Sequence, residues 1–361
     1  MKKCLLILLV TSHITVFGQN LDAIDAIVKE EMTAKRTVGL SVAVIKSGEL
    51  VHLKAYGLRD KENNLEATIN TPFTIASVSK TVVSAAIFKL MELKQIRLTD
   101  DINDYLPFQV INPHFPNSKI SISQLLNHHS GINDGDAMQF WTYEGDSKIQ
   151  LSEFLKDFLS VKGKLYHKSR FVKDTISYRY SNIGYGLLGY IAENVSKTSF
   201  EEFCRKYIFN PLEMNNTSWF LNNLDKSLVA KPYASTKSNG QEFKGFMGYP
   251  YYPCGQLRTS ISDFSSFILG YINSQNGKFI LDSITTETIT PNPSDKRLKH
   301  YTWRVDSTFS KNTYYLHSGG EPGVVTWTLM DVTKQNAIII FANSDGRLNN
   351  MLIRIDKELF N

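Results

Sequence analysis

At the start of the chain, Leu21, Ile24, Val28 and Met32 fall on one stripe, and this spacing predicts an amphipathic helix. A hairpin follows, with strands over residues 39–45 and 50–56 and a turn at Ser47-Gly48. The C-terminal end mirrors it. Short β-rich runs lie at 301–305, 314–316, 324–330 and 337–342, and a helix over about 347–360 closes the chain. Between the two ends the pattern is mostly helical, at 80–93, 122–127, 152–159, 183–195, 200–207 and 262–271. The economical fold is α/β (α+β). An antiparallel sheet built from both chain ends (about 19–75 and 295–361) is flanked by helices, with a large helical insert over 76–294. No repeat, low-complexity tract or flexible linker interrupts it, so residues 19–361 are expected to form one domain.

Composition narrows the class without identifying a partner. The 361 residues are 42% hydrophobic and 21% charged, which excludes disorder, collagen-like repeats and a multi-pass membrane protein. The start of the chain reads as a secretory signal. Lys2 and Lys3 precede an apolar run over 4–10 that is too short to span a bilayer, and Gly18 offers a small residue for cleavage. Removing residues 1–18 leaves 343 residues and lowers the formal charge from +5 to +3, because two lysines and no acid depart. That charge is too small and too scattered to suggest nucleic acid. An exported protein, periplasmic or secreted and without a membrane anchor once the signal is gone, is expected. Cys4 leaves with the signal, and Cys204 and Cys254 are expected as free, buried thiols. The basic clusters at 162–173 and 296–300 read as solvated loops.

The candidate chemistry begins at Ser77-Val78-Ser79-Lys80. Ser and Lys three apart at a helix start lie on one face, where the lysine can reach the hydroxyl and activate it. Alone, the tetrapeptide also fits an N-cap serine followed by a solvated lysine. Two further segments change the balance: Tyr178-Arg179-Tyr180-Ser181-Asn182 ahead of a helix, and His317-Ser318-Gly319-Gly320 at the end of a β run. Gly184 to Gly189 matches G-x-G-x-x-G, but no parallel βαβ unit surrounds it, so close helix packing explains the glycines better than a dinucleotide. His128 and His129, being adjacent, suit packing or capping better than zinc. No Gly-x-Ser-x-Gly elbow occurs.

Ser-x-x-Lys, Tyr-x-Asn and His-x-Gly in this order and spacing resemble the serine β-lactamase and penicillin-binding-protein superfamily, class C branch. The framing segments resemble it too: Phe73-Thr74-Ile75-Ala76 before the serine, Leu125-Leu126-Asn127-His128-His129-Ser130-Gly131, and Cys254-Gly255-Gln256-Leu257-Arg258. The resemblance implies a β-lactamase/transpeptidase-like fold, a small-molecule or peptide substrate, and neither metal nor organic cofactor. It implies that Ser77 attacks a carbonyl while Lys80 and Tyr180 share its proton. Asn182 would hold Lys80 and a substrate amide. His317, Ser318, Gly319 and Gly320 would line the substrate, with the N–H groups of Ser77 and Gly320 as oxyanion hole. Burial is expected to lower the lysine pKa, and whether Lys80 or Tyr180 is the acylation base stays open.

His317 departs from the lysine usual in β-lactamases of this branch. An unperturbed imidazole is only about one-quarter protonated at pH 7, a part-time cation. In this respect the chain resembles the D,D-peptidases, D-amino-acid peptidases and esterases of the superfamily. Hydrolysis of an ester, D-amino-acid peptide or related amide is therefore expected. β-Lactam hydrolysis and a non-catalytic cell-wall-peptide sensor are the alternatives. Residues 171–175, in place of a Pro-Gly, and the loop 133–147 with Trp141, Tyr143 and Glu144 are expected as pocket walls.

Overall fold

The strand β1 (Gly39–Lys46) is buried at every position but its last, the pattern of a strand covered on both faces. The computed structural model describes residues 22–173, 177–238, 240–274, 279–291, 301–307 and 311–360. In it, β1 is followed by β2 (Glu49–Asp60), β3 (Leu65–Glu66), β4 (Phe73–Thr74), β5 (Tyr233–Ser235), β6 (Gln241–Phe243) and β7 (Arg258–Thr259). The C-terminal part adds β8 (Arg304–Asp306), β9 (Tyr314–Glu321), β10 (Val324–Asp331) and β11 (Asn336–Ala342). The main sheet runs β3-β2-β1-β11-β10-β9-β8, and every neighbouring pair is antiparallel. The β1–β11 pairing, with Val42 opposite Ile340, joins the two chain ends as the sequence predicts. Two small ladders, β4–β7 and β5–β6, stand apart from it.

Alternation sorts the sheet into two apolar layers. Leu40, Val42, Val44, Ile338 and Ile340 pack against a helix over residues 22–35 (α1) and the last helix. Ala43, Ile45, Ile339 and Phe341 face the helical block. A one-residue slip would exchange the two sets, so burial on both sides fixes the register. The remaining helices are α2 (Ser79–Glu92), α3 (Ile122–Leu126), α4 (Leu151–Leu159), α5 (Asn182–Ser196), α6 (Phe200–Cys204), α7 (Ile261–Ile272), α8 (Ser283–Ile289) and α9 (Asn349–Phe360).

Several expectations shift. The run at 314–316 is the start of an eight-residue strand that continues through the glycines to Glu321, and 301–303 lie outside β8. Residues 200–207 split into α6 and a π-helical turn, Arg205–Phe209. The strands β3 to β7 and the helix α8 went unread, being too short for a period to show. The cluster at 162–173 is not uniformly solvated: Arg170 is buried, pairs with Asp136 and sits 3.9 Å from the Phe158 ring centroid. Cys204 and Cys254 are buried and free. The signal at 1–18 and the cluster at 296–300 fall outside the described residues. Among the described residues no helix is long and apolar enough to cross a membrane.

The glycines of the G-x-G-x-x-G match lie inside α5, where they admit a close neighbour. A Cβ at Gly189 would come 2.5 Å from Pro253, in the short turn Tyr252–Cys254. That close approach seats the turn, and with it the Cys254 carbonyl, against α2 and α5.

Candidate active site

Ser77 occupies a 3-10 turn, Ala76–Val78, that feeds α2, and no side chain caps the helix there. The N-cap reading of this serine therefore falls away. Within 71–80, Ser77 is the one residue that is not buried. Ala76 before it adopts φ +46°, a left-handed conformation costing about 1–2 kcal/mol for a residue with a Cβ. Three contacts hold the turn in this state. The Ile75 N–H donates to the Leu257 carbonyl (2.9 Å), Thr326 Oγ1 donates to the Ile75 carbonyl (2.8 Å), and Gly319 lies so close that a Cβ there would collide with Ile75 and Ala76. Ser79, the other serine of the tetrapeptide, is fully buried and accepts a hydrogen bond from Leu257 N.

Lys80 is fully buried, not solvated. Its ammonium donates to Ser77 Oγ (3.2 Å), Asn182 Oδ1 (2.8 Å) and the Cys254 carbonyl (2.6 Å), one acceptor for each proton. Burial works to lower its pKa, as expected. The facing Tyr180 and Cys254 side chains and Asp134 outweigh burial, and the ammonium is held above its ordinary value. Tyr180 Oη donates to Ser77 Oγ at 2.9 Å, and its ring centroid lies 4.9 Å from Lys80 Nζ. With Tyr180 38% exposed, Ser77 Oγ lies between a buried cation and a phenol at the opening.

Asn182 begins α5, and the Ser181 hydroxyl caps that helix by accepting from Gly184 N. Asp134 reaches across from the loop 133–147. Its carboxylate accepts from Asn182 N (2.9 Å), Asn182 Nδ2 (2.9 Å), Ile183 N (3.0 Å) and Ser181 Oγ (2.9 Å). These bonds decide which way the Asn182 amide faces: nitrogen toward Asp134 and oxygen toward Lys80. One amide proton expected to meet substrate is thereby engaged. Asp134 escaped the sequence reading, since no local spacing ties residue 134 to 182.

His317 is buried on β9, its Nδ1 3.0 Å from the Ser318 carbonyl. Burial first, and then the Lys80 ammonium, push its pKa down to about 3. The expected part-time cation is a neutral imidazole at physiological pH. Ser318 is half-buried and Gly320 is exposed. A Cβ at Gly320 would meet nothing within 4 Å, so its backbone borders open space beside the Ser77 turn.

The expected walls divide. Trp141 is half-buried, donating to Tyr251 Oη at 2.7 Å with its ring 5.9 Å from Tyr249. Tyr143 and Glu144 are exposed. Phe171 is buried in the core, and residues 174 and 175 fall outside the described residues. His128 packs against Tyr178, Tyr180 and Tyr185 and accepts from Ser181 N, while His129 Nδ1 lies 2.6 Å from the Asn127 carbonyl. Among the described residues no group of three His, Cys, Asp or Glu side chains could hold a metal ion.

The family model described as Beta-lactamase matches residues 24–358. The chain is 26% identical over 324 residues to Protein flp of Staphylococcus aureus (strain MRSA252), covering 89% of this chain and 62% of that protein. It thus spans less than two thirds of that relative's length. The octameric penicillin-binding protein homologue from Pyrococcus abyssi superposes with a TM-score of 0.72 at 24% identity, over 92% of this chain and 75% of that one. The D-amino acid amidase from Ochrobactrum anthropi SV3 superposes with a TM-score of 0.76 at 19% identity, over 94% and 98%. At these identities both structures show a shared fold.

Proposed function

The chain belongs to the beta-lactamase family, and from that premise we propose that it is a serine hydrolase that forms an acyl-enzyme on Ser77 and hydrolyses an ester, a D-amino-acid peptide or a related amide. One observation carries the proposal: Ser77 Oγ lies 2.9 Å from Tyr180 Oη and 3.2 Å from Lys80 Nζ on a turn that exposes it. With all three Lys80 protons donated to oxygen, its nitrogen has no lone pair to offer. The group left to take the Ser77 proton is the Tyr180 oxygen in its phenolate form, with the ammonium as counter-charge. The reacting form reverses the Tyr180–Ser77 hydrogen bond.

Ser77 Oγ then bonds to the substrate carbonyl carbon as its proton passes to Tyr180. The N–H groups of Ser77 and Gly320 receive the developing oxyanion, an interaction of about 3–4 kcal/mol per donor in comparable sites. As the carbonyl re-forms, the bond to the leaving group breaks, and Tyr180 protonates the departing amine or alkoxide. Water repeats the sequence on the acyl-enzyme: it gives a proton to Tyr180, which returns it to Ser77 as the acid leaves.

The neutral His317 favours esters and peptides over β-lactams, because the imidazole supplies no charge of its own to meet a lactam's carboxylate. The D-amino acid amidase sharing this fold points the same way. The proposal includes export, with residues 1–18 removed, on the strength of the basic start and apolar run.

The purified protein should label with a fluorophosphonate at Ser77 and turn over p-nitrophenyl acyl esters or D-alanyl-D-alanine peptides faster than nitrocefin. Ser77→Ala should abolish both labelling and turnover with the fold intact. Turnover surviving at the wild-type rate in that variant overturns the proposal. No adduct, together with binding of peptidoglycan fragments, identifies a sensor instead. A mature mass lacking residues 1–18 in the exported fraction checks export.

A further inference from the structure

β9 does not end at the glycine pair. His317, Gly319 and Glu321 alternate onto one face of the strand, the face that Gly319 presses against Ile75 and Ala76. Glu321 is therefore the next side chain on the Ser77 side of β9, one residue past the Gly320 N–H. It stands four residues, or roughly 13 Å, along the strand from His317. Its Oε1 accepts from Tyr249 Oη at 2.7 Å. A Cβ at Gly255 would come 3.1 Å from Glu321 Oε1 and 3.5 Å from the Ala76 carbonyl carbon. Gly255 itself follows Cys254, whose carbonyl holds Lys80. The carboxyl thus lies beside the Ser77 turn, away from the His317 end. Behind it stand aromatic rings: Tyr249 stacks on Tyr251 at 4.9 Å and lies 5.9 Å from Trp141.

We propose that Glu321, backed by this aromatic cluster, forms a subsite for a cationic amine on the acyl portion of the substrate, an α-ammonium beside the scissile carbonyl. The assignment of an acyl side rests on the acyl-enzyme reading above. Tyr249 occupies Oε1, and among the described residues no other hydrogen-bond donor reaches this carboxyl, so Oε2 is available to an ammonium. Tyr249, Tyr251, Cys254, Arg258 and Lys80 are the ionisable groups around Glu321, and burial raises it to about 7. A bound cation would draw the carboxyl fully into its charged form. An N-acylated or des-amino substrate offers no cation to do so.

Binding to full-length Ser77→Ala tests the subsite apart from turnover. Phenylalaninamide, in both enantiomers, and 3-phenylpropanamide differ only in the amine. Calorimetry should show one enantiomer of the amine binding at least about tenfold tighter. In Ser77→Ala/Glu321→Gln, which keeps an acceptor for Tyr249, the ratio should fall to about one, and Glu321→Asp should give an intermediate ratio. Thermal melts check that each variant is folded. Equal binding of amine and des-amino probes, or a preference that survives Glu321→Gln, overturns the subsite. An Oε2-dependent preference in a protein that neither labels at Ser77 nor turns over any ester or amide overturns the hydrolase reading and leaves the subsite standing.

Discussion

The Lys80 corner and the Glu321 corner of this site treat charge in opposite ways. Lys80 is fully buried, yet three oxygens take its three protons and opposing groups hold its pKa up. Among the described residues Glu321 has one donor, Tyr249, and burial outweighs that bond and the nearby cations, lifting its pKa to about 7. His317 makes the contrast sharper still. It is buried close to Lys80, its Nδ1 meets the Ser318 carbonyl, and it is neutral. What decides the charge state here is how fully the partners match the charged form, and burial alone predicts it badly. A centre with every proton engaged is fixed in place and charge. A carboxyl with one oxygen unengaged is ready to respond to what binds.

The strongest way to break this comparison is to remove the saturated centre. Lys80→Met should lower kcat/KM on p-nitrophenyl esters by about a thousandfold or more, the loss typical of residues that act as one unit. A rate within tenfold of wild type would show that the ammonium is not needed. Next comes acid unfolding. His317 binds a proton in the unfolded chain near pH 6.5 and in the folded one only near 3, so its stabilisation is complete above pH 6.5. It is lost as pH falls toward 3, by up to about 4–5 kcal/mol. In denaturant titrations His317→Gln should lose less stability than wild type across that window.

Glu321 should show the opposite sign. Its folded pKa lies above the ordinary 4.5, so the folded state binds the extra proton and stability falls as pH rises from about 4.5 to 7. Glu321→Gln should therefore gain on wild type between pH 5 and 8, by about 2–3 kcal/mol. A pH-independent difference would place the carboxyl in water. Smaller again is the effect of Asp134→Asn, which swaps one Asn182 acceptor for a donor. A tenfold to hundredfold fall in kcat with little change in KM, and about 1–3 kcal/mol of stability, is expected from the hydrogen bonds it loses. Unchanged kcat would mean the Asn182 amide orients itself without help.

Much of the architecture was legible along the chain. The hairpin at 39–56, the C-terminal runs and the long helices each carry their own period, and the two ends meet in one sheet because both bury two faces. The shorter ladders β4–β7 and β5–β6 were not legible, since two or three residues hold no period. In the site, Ser77, Lys80, Tyr180, Asn182 and the His317 to Gly320 segment were readable as local motifs, and the fold links Tyr180, Ser77, Lys80 and Asn182, in that order, in one hydrogen-bonded chain. Asp134 and the Cys254 carbonyl were not. Their partners lie 48 and 174 residues away, and a backbone carbonyl leaves no mark on residue type.

By itself, then, the sequence determined which groups are present and that three short motifs could converge: residue types and local spacing are properties of the chain. The tertiary structure alone decided their charge. Lys80 stays an ammonium, His317 becomes neutral and Glu321 titrates near pH 7 because each answers to dipoles, charges and lost water gathered from distant segments. Those distances exist only once the chain has folded.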